Sequence, residues 1–246
     1  MLFALDQSGN KIRASKNVEG YCPHCRGLLV AKTGEIIAHH WAHVSSAECD
    51  AWSEGETRWH LAWKSRFPNH CVEQRVTRGG AWHVADVLLP DGIAIEFQHS
   101  SISPIEIQQR EDFYQRMIWV LDVKDAAGRF NFKPDGVEMK FKWDQPRRSF
   151  DHSNAPVILD LGDGRMFCVS RWSIGCFFGW GQFSTRDEFI AKYAPDSCPI
   201  ELRGLTFNDL ADGALEKQGY KIRAFDNDKT AVLSWRPSII IERTAR

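Results

Sequence analysis

Two carboxylates ten residues apart, Asp86 and Glu96, are the strongest candidates for chemistry in this sequence. Residues 84–89 and 93–98 around them are apolar and β-branched, and the Pro-Asp-Gly at 90–92 between them is typical of a turn. A type I turn that ends with its glycine in the left-handed conformation fixes the register and places Asp86 opposite Glu96. The two side chains are then expected on one face of a hairpin, roughly 5 Å apart.

Facing carboxylates on an apolar sheet are costly unless a cation lies between them, because like charges repel and burial favours the protonated forms. Mg²⁺ (or Mn²⁺) is the simplest such cation, since it takes oxygen ligands and often uses one or two carboxylates plus substrate phosphate. Gln98 is predicted on the same face as Glu96. The alternative is that Asp86 caps a turn and Glu96 lies on an exposed sheet face.

A second group of candidate ligands lies near the N-terminus, where a Cys-x-x-Cys pair is followed by closely spaced histidines. The candidates are Cys22, Cys25, His40, His43 and Cys49, of which four would bind the ion. This spacing is typical of a structural Zn²⁺ site that stabilises a hairpin too small to fold alone. His40 and His43 are the expected partners of the cysteine pair, although His39 could replace either and Cys49 could displace one. The alternative is a reduced dithiol near surface histidines.

A helix is predicted over residues 53–66, with Ser53 as its N-cap and acidic residues in its first turn. Glu56, His60 and Lys64 follow one another at intervals of four and would project along one stripe of that helix. An acid, a base and a cation in a row beside a metal site could take part in catalysis. The alternative is a solvated stripe of helix-stabilising pairs.

The remaining elements of this region can be predicted from local signals. Residues 71–77 read as a strand that turns at a Gly-Gly pair into the hairpin. A capping box with proline at the first helical position, at 103–106, begins a helix over 104–116, and 118–123 is a continuous apolar run. Strand, helix and strand therefore form a right-handed crossover with parallel pairing.

Composition excludes several classes of protein. The 246 residues carry a net charge of −1, so local patches rather than the overall charge would bind nucleic acid. Seven cysteines, an odd number with one Cys-x-x-Cys pair, predict metal ligands and core thiols rather than a disulfide framework. No apolar run is long enough to span a membrane and the first residues do not resemble a signal peptide, so a cytoplasmic location is expected.

The motifs of the first half of the chain, in this order, resemble the CoiA-like competence protein family within the PD-(D/E)XK nuclease superfamily. They are Tyr-Cys-Pro-His-Cys at 21–25, His-Trp-Ala-His at 40–43, Cys-Asp at 49–50, Glu-Thr-Arg-Trp-His-Leu-Ala-Trp-Lys at 56–64, Ala-Asp-Val at 85–87, and Ile-Glu-Phe-Gln at 95–98, followed by Ser100, Arg110, Tyr114 and Trp119. The resemblance covers roughly residues 1 to 125. Together these motifs are specific, although each alone is not.

The resemblance implies a role for each matching residue. Asp86 and Glu96 would hold Mg²⁺, and Gln98 would occupy the place of the lysine that usually ends the superfamily's motif. The candidate catalytic residues are then Glu56, His60, Lys64, Asp86, Glu96 and Gln98, with Glu56 binding the metal or its water. Because Gln98 is uncharged, the cation role could pass to Lys64 or Arg110.

The predicted fold class is α/β (α+β), in three parts. Residues 1–52 hold N-terminal strands and a zinc ribbon, 53–133 a PD-(D/E)XK restriction-endonuclease-like core, and 134–246 a C-terminal α+β region of unknown role. Aromatic residues cluster in the last part, at Trp172, Phe177, Phe178 and Trp180. Core packing is the preferred interpretation of this cluster, and stacking on unpaired bases is the alternative.

The expected function is a metal-dependent DNA endonuclease of the CoiA type, hydrolysing phosphodiester bonds in DNA processing, recombination or defence. The expected partners are DNA, as single strand, duplex or branched form, and recombination or defence proteins. The alternative is a non-catalytic zinc-ribbon protein that binds DNA as a recombination accessory. Fold alone cannot decide between the two, because both use the same fold.

Overall fold

A computed structural model describes residues 1–34, 39–45, 49–52, 57–146, 149–173 and 178–194, with strands at 200–203, 220–222, 230–233 and 241–243. The chain forms two compact units, Met1–Val84 with Asp196–Arg246, and Ala85–Pro195. Strands predominate and short helices accompany them, which confirms the predicted mixed α+β class. The predicted division into residues 1–52, 53–133 and 134–246 stays a prediction.

The N-terminal part of the first unit is an antiparallel sheet with the order β2-β1-β3-β4-β5. Its strands are β1 Phe3–Leu5, β2 Lys11–Arg13, β3 Gly20–Tyr21, β4 Leu28–Lys32 and β5 His40–His43. A small core holds the sheet together, built from Ala4, Ala14, Cys22, Leu29 and Trp41. Because one of the predicted zinc ligands, Cys22, belongs to this core, metal binding and folding of the sheet are expected to be coupled.

Helix α1, Arg58–Lys64, is shorter than predicted. Its N-cap is Thr57, whose Oγ1 accepts a hydrogen bond from the backbone N–H of His60 at 3.2 Å. Thr57 has extended backbone angles (φ −102°, ψ 163°), so α1 begins after it and not at the predicted start near residue 53. Ser53, the predicted N-cap, lies outside the described residues. Glu56 lies outside the described residues, whereas His60 and Lys64 remain one turn apart on α1.

Strand β6, Val72–Arg78, is followed by β7, Ala81–Leu88, as the sequence predicts. Gly79 and Gly80 connect them with φ angles of +58° and +82°. Two successive residues in this left-handed region form the tight turn typical of two-residue hairpins, which favours glycine at both positions. The predicted Gly-Gly turn is confirmed.

In the second unit the strands follow the order β10-β11-β14-β13-β12-β9-β8-β7, to which β7 contributes its C-terminal residues. The strands after β7 are β8 Ala94–Gln98, β9 Met117–Asp122, β10 Phe130–Asp135, β11 Glu138–Trp143, β12 Val157–Asp160, β13 Arg165–Ser173 and β14 Phe178–Thr185. Strand β9 pairs in parallel with β8 and β12, and the neighbours on either side pair antiparallel. This sheet therefore extends well beyond residue 133.

The predicted parallel crossover is confirmed. Helix α2, Pro104–Tyr114, joins β8 to β9, and Glu96 lies beside Trp119 in the parallel pair. Ser103 caps the helix, its side chain accepting the backbone N–H of Glu106 at 3.1 Å. The crossover brings one face of α2 onto the sheet next to the end of the carboxylate hairpin.

A cluster of phenylalanine rings fills the core of the second half of this unit and reaches the surface at Phe183. Phe132, Phe141, Phe167 and Phe183 contact one another, with ring centroids between 4.8 and 6.4 Å apart. Strand β14 can approach these rings because glycine occupies its core-facing positions: a Cβ on Gly181 would lie 2.6 Å from the Phe167 ring. A final helix, α3 Arg186–Tyr193, starts in a complete capping box and ends the unit.

Within the part of the chain that the structure describes, no helix is both long enough and apolar enough to cross a membrane.

Candidate active site and metal centre

The hairpin formed by β7 and β8 has the register that its turn predicts. Val87 pairs with Ile95 and Leu88 with Ala94, and the backbone N–H of Leu89 donates to the carbonyl of Ile93 at 2.8 Å. The turn glycine has a φ of +85°. The predicted left-handed glycine and the strand register that follows from it are both confirmed.

Beyond these pairs, carboxylate side chains rather than backbone carbonyls accept the hydrogen bonds of backbone N–H groups in the hairpin. The backbone N–H of Phe97 donates to Oδ2 of Asp86 at 3.0 Å, and that of Asp86 donates to Oε1 of Glu96 at 3.3 Å. Each carboxylate thus takes a backbone donor that an ordinary hairpin would pair with a carbonyl. Asp86 and Glu96 are held facing one another where the two strands separate.

Burial of this site rules out the simple alternative for Glu96. Only 5% of Glu96 and 1% of Gln98 are exposed to solvent. A carboxylate on an exposed sheet face would be largely solvated, so that interpretation is wrong for Glu96. Buried carboxylates need partners of opposite charge or hydrogen-bond donors.

Arg110 on α2 supplies a positive charge at the carboxylate pair. One guanidinium nitrogen donates to Oε2 of Glu96 at 3.2 Å, and another donates to Glu106, one helical turn away, at 2.6 Å. The guanidinium is itself buried, and it lies 5.9 Å from the ring centroid of Trp119. Arg110, one of the two cations that sequence analysis offered for this role, therefore contacts Glu96 directly.

The pKa of Glu96 is raised from its ordinary value to about 8. Burial is the main cause, the charge of Asp86 raises it further, and Arg110 partly opposes both. One unit of pKa corresponds to about 1.4 kcal/mol, so two charged carboxylates here are disfavoured even though Arg110, the backbone N–H of Asp86 and the side chain of Tyr114 all favour the charged form of Glu96. The donor set of two carboxylates therefore fits a hard divalent cation, whose charge would take the place of the proton.

Gln98 is fixed by its neighbour. Its side-chain nitrogen donates to both the backbone carbonyl and the hydroxyl of Ser100, each at 3.1 Å. The amide nitrogen is used in this way, so the amide oxygen is the atom that can accept a hydrogen bond from a water molecule.

Lys64 and His60 have contacts of their own within the first unit. The ammonium group of Lys64 donates to Glu73 at 2.9 Å, and both side chains are at least 93% buried. Glu73 also accepts the backbone N–H groups of Leu2 at 2.6 Å and Phe3 at 3.3 Å. The ring of His60 is hydrogen-bonded to the hydroxyl of its N-cap residue at 2.8 Å. These contacts give both side chains a structural role. Their catalytic roles stay predictions.

We expect Lys64→Met to destabilise the protein by about 3–5 kcal/mol, because it leaves the buried carboxylate of Glu73 without its ammonium partner. Urea unfolding of the full chain measures the loss. Lys64→Met combined with Glu73→Gln should recover part of it, and Lys16→Met, at an exposed lysine of the same unit, should cost little. A loss below about 1 kcal/mol for Lys64→Met would contradict a structural ion pair.

Three thiols and one imidazole converge in the first unit. The ligand atoms of Cys22, Cys25, His43 and Cys49 all lie within 4.8 Å of one another. The sulfurs of Cys22 and Cys49 are 3.8 Å apart, and that of Cys25 is 3.4 Å from Nε2 of His43. Such a Cys₃His set could hold Zn²⁺ in tetrahedral coordination.

The turn after β3 positions the sulfur atoms of the Cys-x-x-Cys pair. The backbone N–H of His24 donates to Sγ of Cys22 and that of Gly27 to Sγ of Cys25, each at 3.4 Å. The backbone N–H of Cys22 in turn donates to the carbonyl of Gly27 at 2.8 Å, which closes the turn. These hydrogen bonds hold both sulfurs in fixed positions, as two ligands of one metal ion require.

His40 is not part of this group, and strand geometry gives the reason. His40 and His43 both lie on β5, where His40 pairs with Lys32 and His43 with Leu29. Residues three apart on a strand point to opposite faces of the sheet. The expectation that both histidines turn toward the cysteine pair therefore does not fit the strand, and Cys49 occupies the fourth position in the cluster.

The pKa values of the cluster also fit a site for a bound cation. Burial raises the pKa of Cys22, and burial and then the neighbouring charge of Cys22 raise that of Cys49 to about 12. Burial lowers the pKa of His43, which favours the neutral imidazole that coordinates metals. Without a cation these thiols keep their protons, and Zn²⁺ would displace them.

Asp50, directly after Cys49, is a site residue that sequence analysis did not single out. Its carboxylate accepts the backbone N–H of Val84 at 2.6 Å and bonds Nδ1 of His83 at 2.7 Å. The ring of Trp52 stacks on His83, with the centroids 3.2 Å apart. Asp50 thereby anchors the chain next to Cys49, and the Cys-Asp pair at 49–50 was the available signal.

Two family models match the chain. The model described as competence protein CoiA, N-terminal domain, matches residues 5–51, and that described as competence protein CoiA, nuclease-like domain, matches residues 83–147. The first match contains the Cys₃His cluster and the second contains Asp86, Glu96 and Gln98. The nuclease-like match is consistent with the PD-(D/E)XK core expected from the sequence. No curated protein and no solved structure matches the chain.

Proposed function

The chain belongs to the CoiA-like competence protein family, and from this premise we propose that it is a metal-dependent DNA endonuclease. The observation that supports activity most directly is the buried pair of facing carboxylates, Asp86 and Glu96, with Arg110 on one side. A protein that no longer used a metal would gain stability by losing this pair, because burying like charges is costly. The proposed setting is DNA processing, recombination or defence in the cytoplasm.

In the proposed site Asp86 and Glu96 would hold Mg²⁺ or Mn²⁺, which supplies charge stabilisation at the scissile phosphate and lowers the pKa of an attacking water. Arg110 holds Glu96 in position through their 3.2 Å contact and limits the excess of negative charge. Gln98 accepts a hydrogen bond from the attacking water through its amide oxygen. Hydrolysis adds that water across one P–O bond of the backbone. Glu56, His60 and Lys64 complete the proposed catalytic set.

The Cys₃His cluster is the proposed structural Zn²⁺ site, with Cys22, Cys25, His43 and Cys49 as ligands. Four protein ligands complete a tetrahedron, so substrate would find no open position on this ion. The site would stabilise the small N-terminal sheet, whose core includes Cys22.

Cleavage of labelled DNA tests the proposed function. The zinc-loaded full chain is incubated with linear, nicked, branched and single-stranded DNA, with Mg²⁺, with Mn²⁺ or with neither. We expect cleavage that requires the added ion. Binding without cleavage of any of the four substrates would instead support the DNA-binding accessory protein, an alternative that the uncharged Gln98 favours.

The pH dependence of metal activation follows from the raised pKa of Glu96. Below a pH of about 8 the carboxyl holds a proton that the ion must displace. The Mg²⁺ concentration needed for half-maximal cleavage should therefore fall as the pH rises toward 8, by up to about tenfold per unit for one displaced proton. Above that pH it should level off. Titrations of Mg²⁺ between pH 6 and 9 measure this, and a constant half-maximal concentration would contradict it.

A further inference from the structure

Lysines, arginine and aromatic rings form one patch on the second unit's sheet. It consists of Lys133, Lys140, Lys142, Arg171, Phe178 and Trp180, here called the lysine–aromatic patch. Strand register places Lys133, Lys140, Trp180 and Arg171 side by side across β10, β11, β14 and β13. Lys142 pairs with Phe178 two residues further along. Paired residues share a face, so all six lie on the same side.

This side of the sheet faces solvent. Lys133, Lys140, Lys142 and Arg171 are exposed, and the two aromatic rings are half-buried. The alternate residues of β14, Gly179 and Gly181, face the phenylalanine core instead. Core packing therefore holds for Trp172, which contacts the ring of Phe141, but does not describe Phe178 and Trp180. Phe177 lies outside the described residues.

The cations lie against the rings. Cζ of Arg171 is 4.2 Å from the ring centroid of Trp180, and Nζ of Lys140 is 4.3 Å from that of Phe178. The indole is also fixed at its edge, since its N–H donates to Asp135 at 2.7 Å. An aromatic ring topped by a guanidinium plane is a flat, positively charged surface of the kind on which unpaired bases stack.

The arrangement of charges favours an anionic ligand. Lys133 and Lys140 stand directly opposite each other in β10 and β11, a like-charge pair that destabilises a sheet unless an anion lies nearby. The acids of this region lie at the two ends of these strands: Asp135 and Glu138 pair at one end, and Asp144 at the other end forms an ion pair with Lys142 at 3.2 Å. Glu138 is engaged with Arg171 and Ser170. Lys133 and Lys140 lie between these ends and are exposed, so they can contact backbone phosphates, and Lys142 can exchange its exposed contact with Asp144 for a phosphate.

We infer that the lysine–aromatic patch binds single-stranded DNA, with phosphates at Lys133, Lys140 and Lys142 and bases against Trp180 and Phe178. Duplex DNA fits poorly, because its bases are stacked on one another and cannot offer their faces to a ring. This inference rests on the proposed function and deepens it by naming the form of DNA that the protein holds. The family-model match ends at residue 147, so β13 and β14 lie beyond it.

Binding of a labelled, mixed-sequence single strand to the zinc-loaded full chain, without added Mg²⁺, tests the inference separately from cleavage. The triple variant Lys133→Gln, Lys140→Gln, Lys142→Gln should bind at least tenfold more weakly near 0.1 M salt. The slope of log affinity against log salt should flatten by about 2, since each phosphate contact on a single strand contributes about 0.7. Trp180→Leu should weaken binding by about 5- to 150-fold, as expected for loss of one stacked base.

Arg116→Gln, Arg165→Gln, Lys192→Gln is the matched control, because it also removes three exposed positive charges from the second unit. It should leave affinity and salt slope close to those of the wild type. The same measurements are made with duplex DNA and with single-stranded RNA. The inference is overturned if the triple lysine variant behaves like the control. It is also overturned if the triple lysine variant and Trp180→Leu lose duplex binding as much as single-strand binding, or if only their binding of RNA falls. Because binding is measured without Mg²⁺, its result is independent of cleavage. A protein without nuclease activity would still show weaker binding in the triple lysine variant and in Trp180→Leu if the inference holds, and an active nuclease would not show it if the inference fails.

Discussion

Asp86→Asn and Glu96→Gln should each lower the rate of Mg²⁺-dependent DNA cleavage by about 1000-fold, because the loss of a carboxylate ligand removes several kcal/mol of metal-mediated stabilisation of the transition state. Both changes preserve side-chain size and the ability to accept the backbone hydrogen bonds of the site. Single-turnover cleavage of the preferred substrate at saturating Mg²⁺ is the measurement, with the metal titrated for each variant.

Asp91→Asn serves as the matched control for these variants. Asp91 lies in the turn of the same hairpin, and its side chain is 57% exposed. Cleavage by this variant should equal that of the wild type. Glu96→Gln should unfold no more readily than the wild type at neutral pH, because a neutral amide suits the buried position that already favours a protonated carboxyl. Wild-type rates in either carboxylate variant would remove Asp86 and Glu96 from the active site.

The carboxylate hairpin was predictable because its signals are local. A Pro-Asp-Gly turn admits few backbone geometries, and once the turn is fixed, the period of two determines which residues face each other. The pairs Val87–Ile95 and Leu88–Ala94 follow directly. The parallel crossover was predictable for a similar reason, since Ser103 and Pro104 mark the helix start and a continuous apolar run marks the buried strand.

Other features depend on contacts between residues distant in sequence. The periodicity of the first helix gave no sign that Thr57 would be its N-cap, or that Lys64 would pair with Glu73 and hold the start of β1. The continuation of the sheet from β9 to β12 and on to β11 joins strands whose order the sequence does not specify. Phe178 and Trp180 show the same limit. From the sequence alone, an aromatic cluster predicts core packing. Only the sheet shows that Gly179 and Gly181 face the core and that the two rings, which alternate with them, lie on the opposite face.

The proposed zinc ligands allow a prediction that distinguishes the ligand set suggested by sequence spacing from the set suggested by strand geometry. Cys49→Ser should lower zinc affinity by several orders of magnitude, because it removes one of four converging ligand atoms, and apparent zinc binding energies in small zinc domains reach about 10–16 kcal/mol. Zinc content after dialysis against a competing chelator measures this. The N-terminal sheet should then lose protection from hydrogen exchange, since Cys22 belongs to its core.

His40→Ala is the informative comparison, because spacing alone makes His40 as good a ligand as His43, whereas the strand directs the two to opposite faces. His40→Ala should retain one zinc ion per chain with nearly unchanged affinity, and His43→Ala should lose zinc as Cys49→Ser does. Zinc loss in His40→Ala together with retention in Cys49→Ser would favour the Cys₂His₂ set that spacing suggests. The pattern expected from the structure would instead show that the ligands are selected by the faces of β5, and that Cys49 completes the site from the segment that Asp50 anchors.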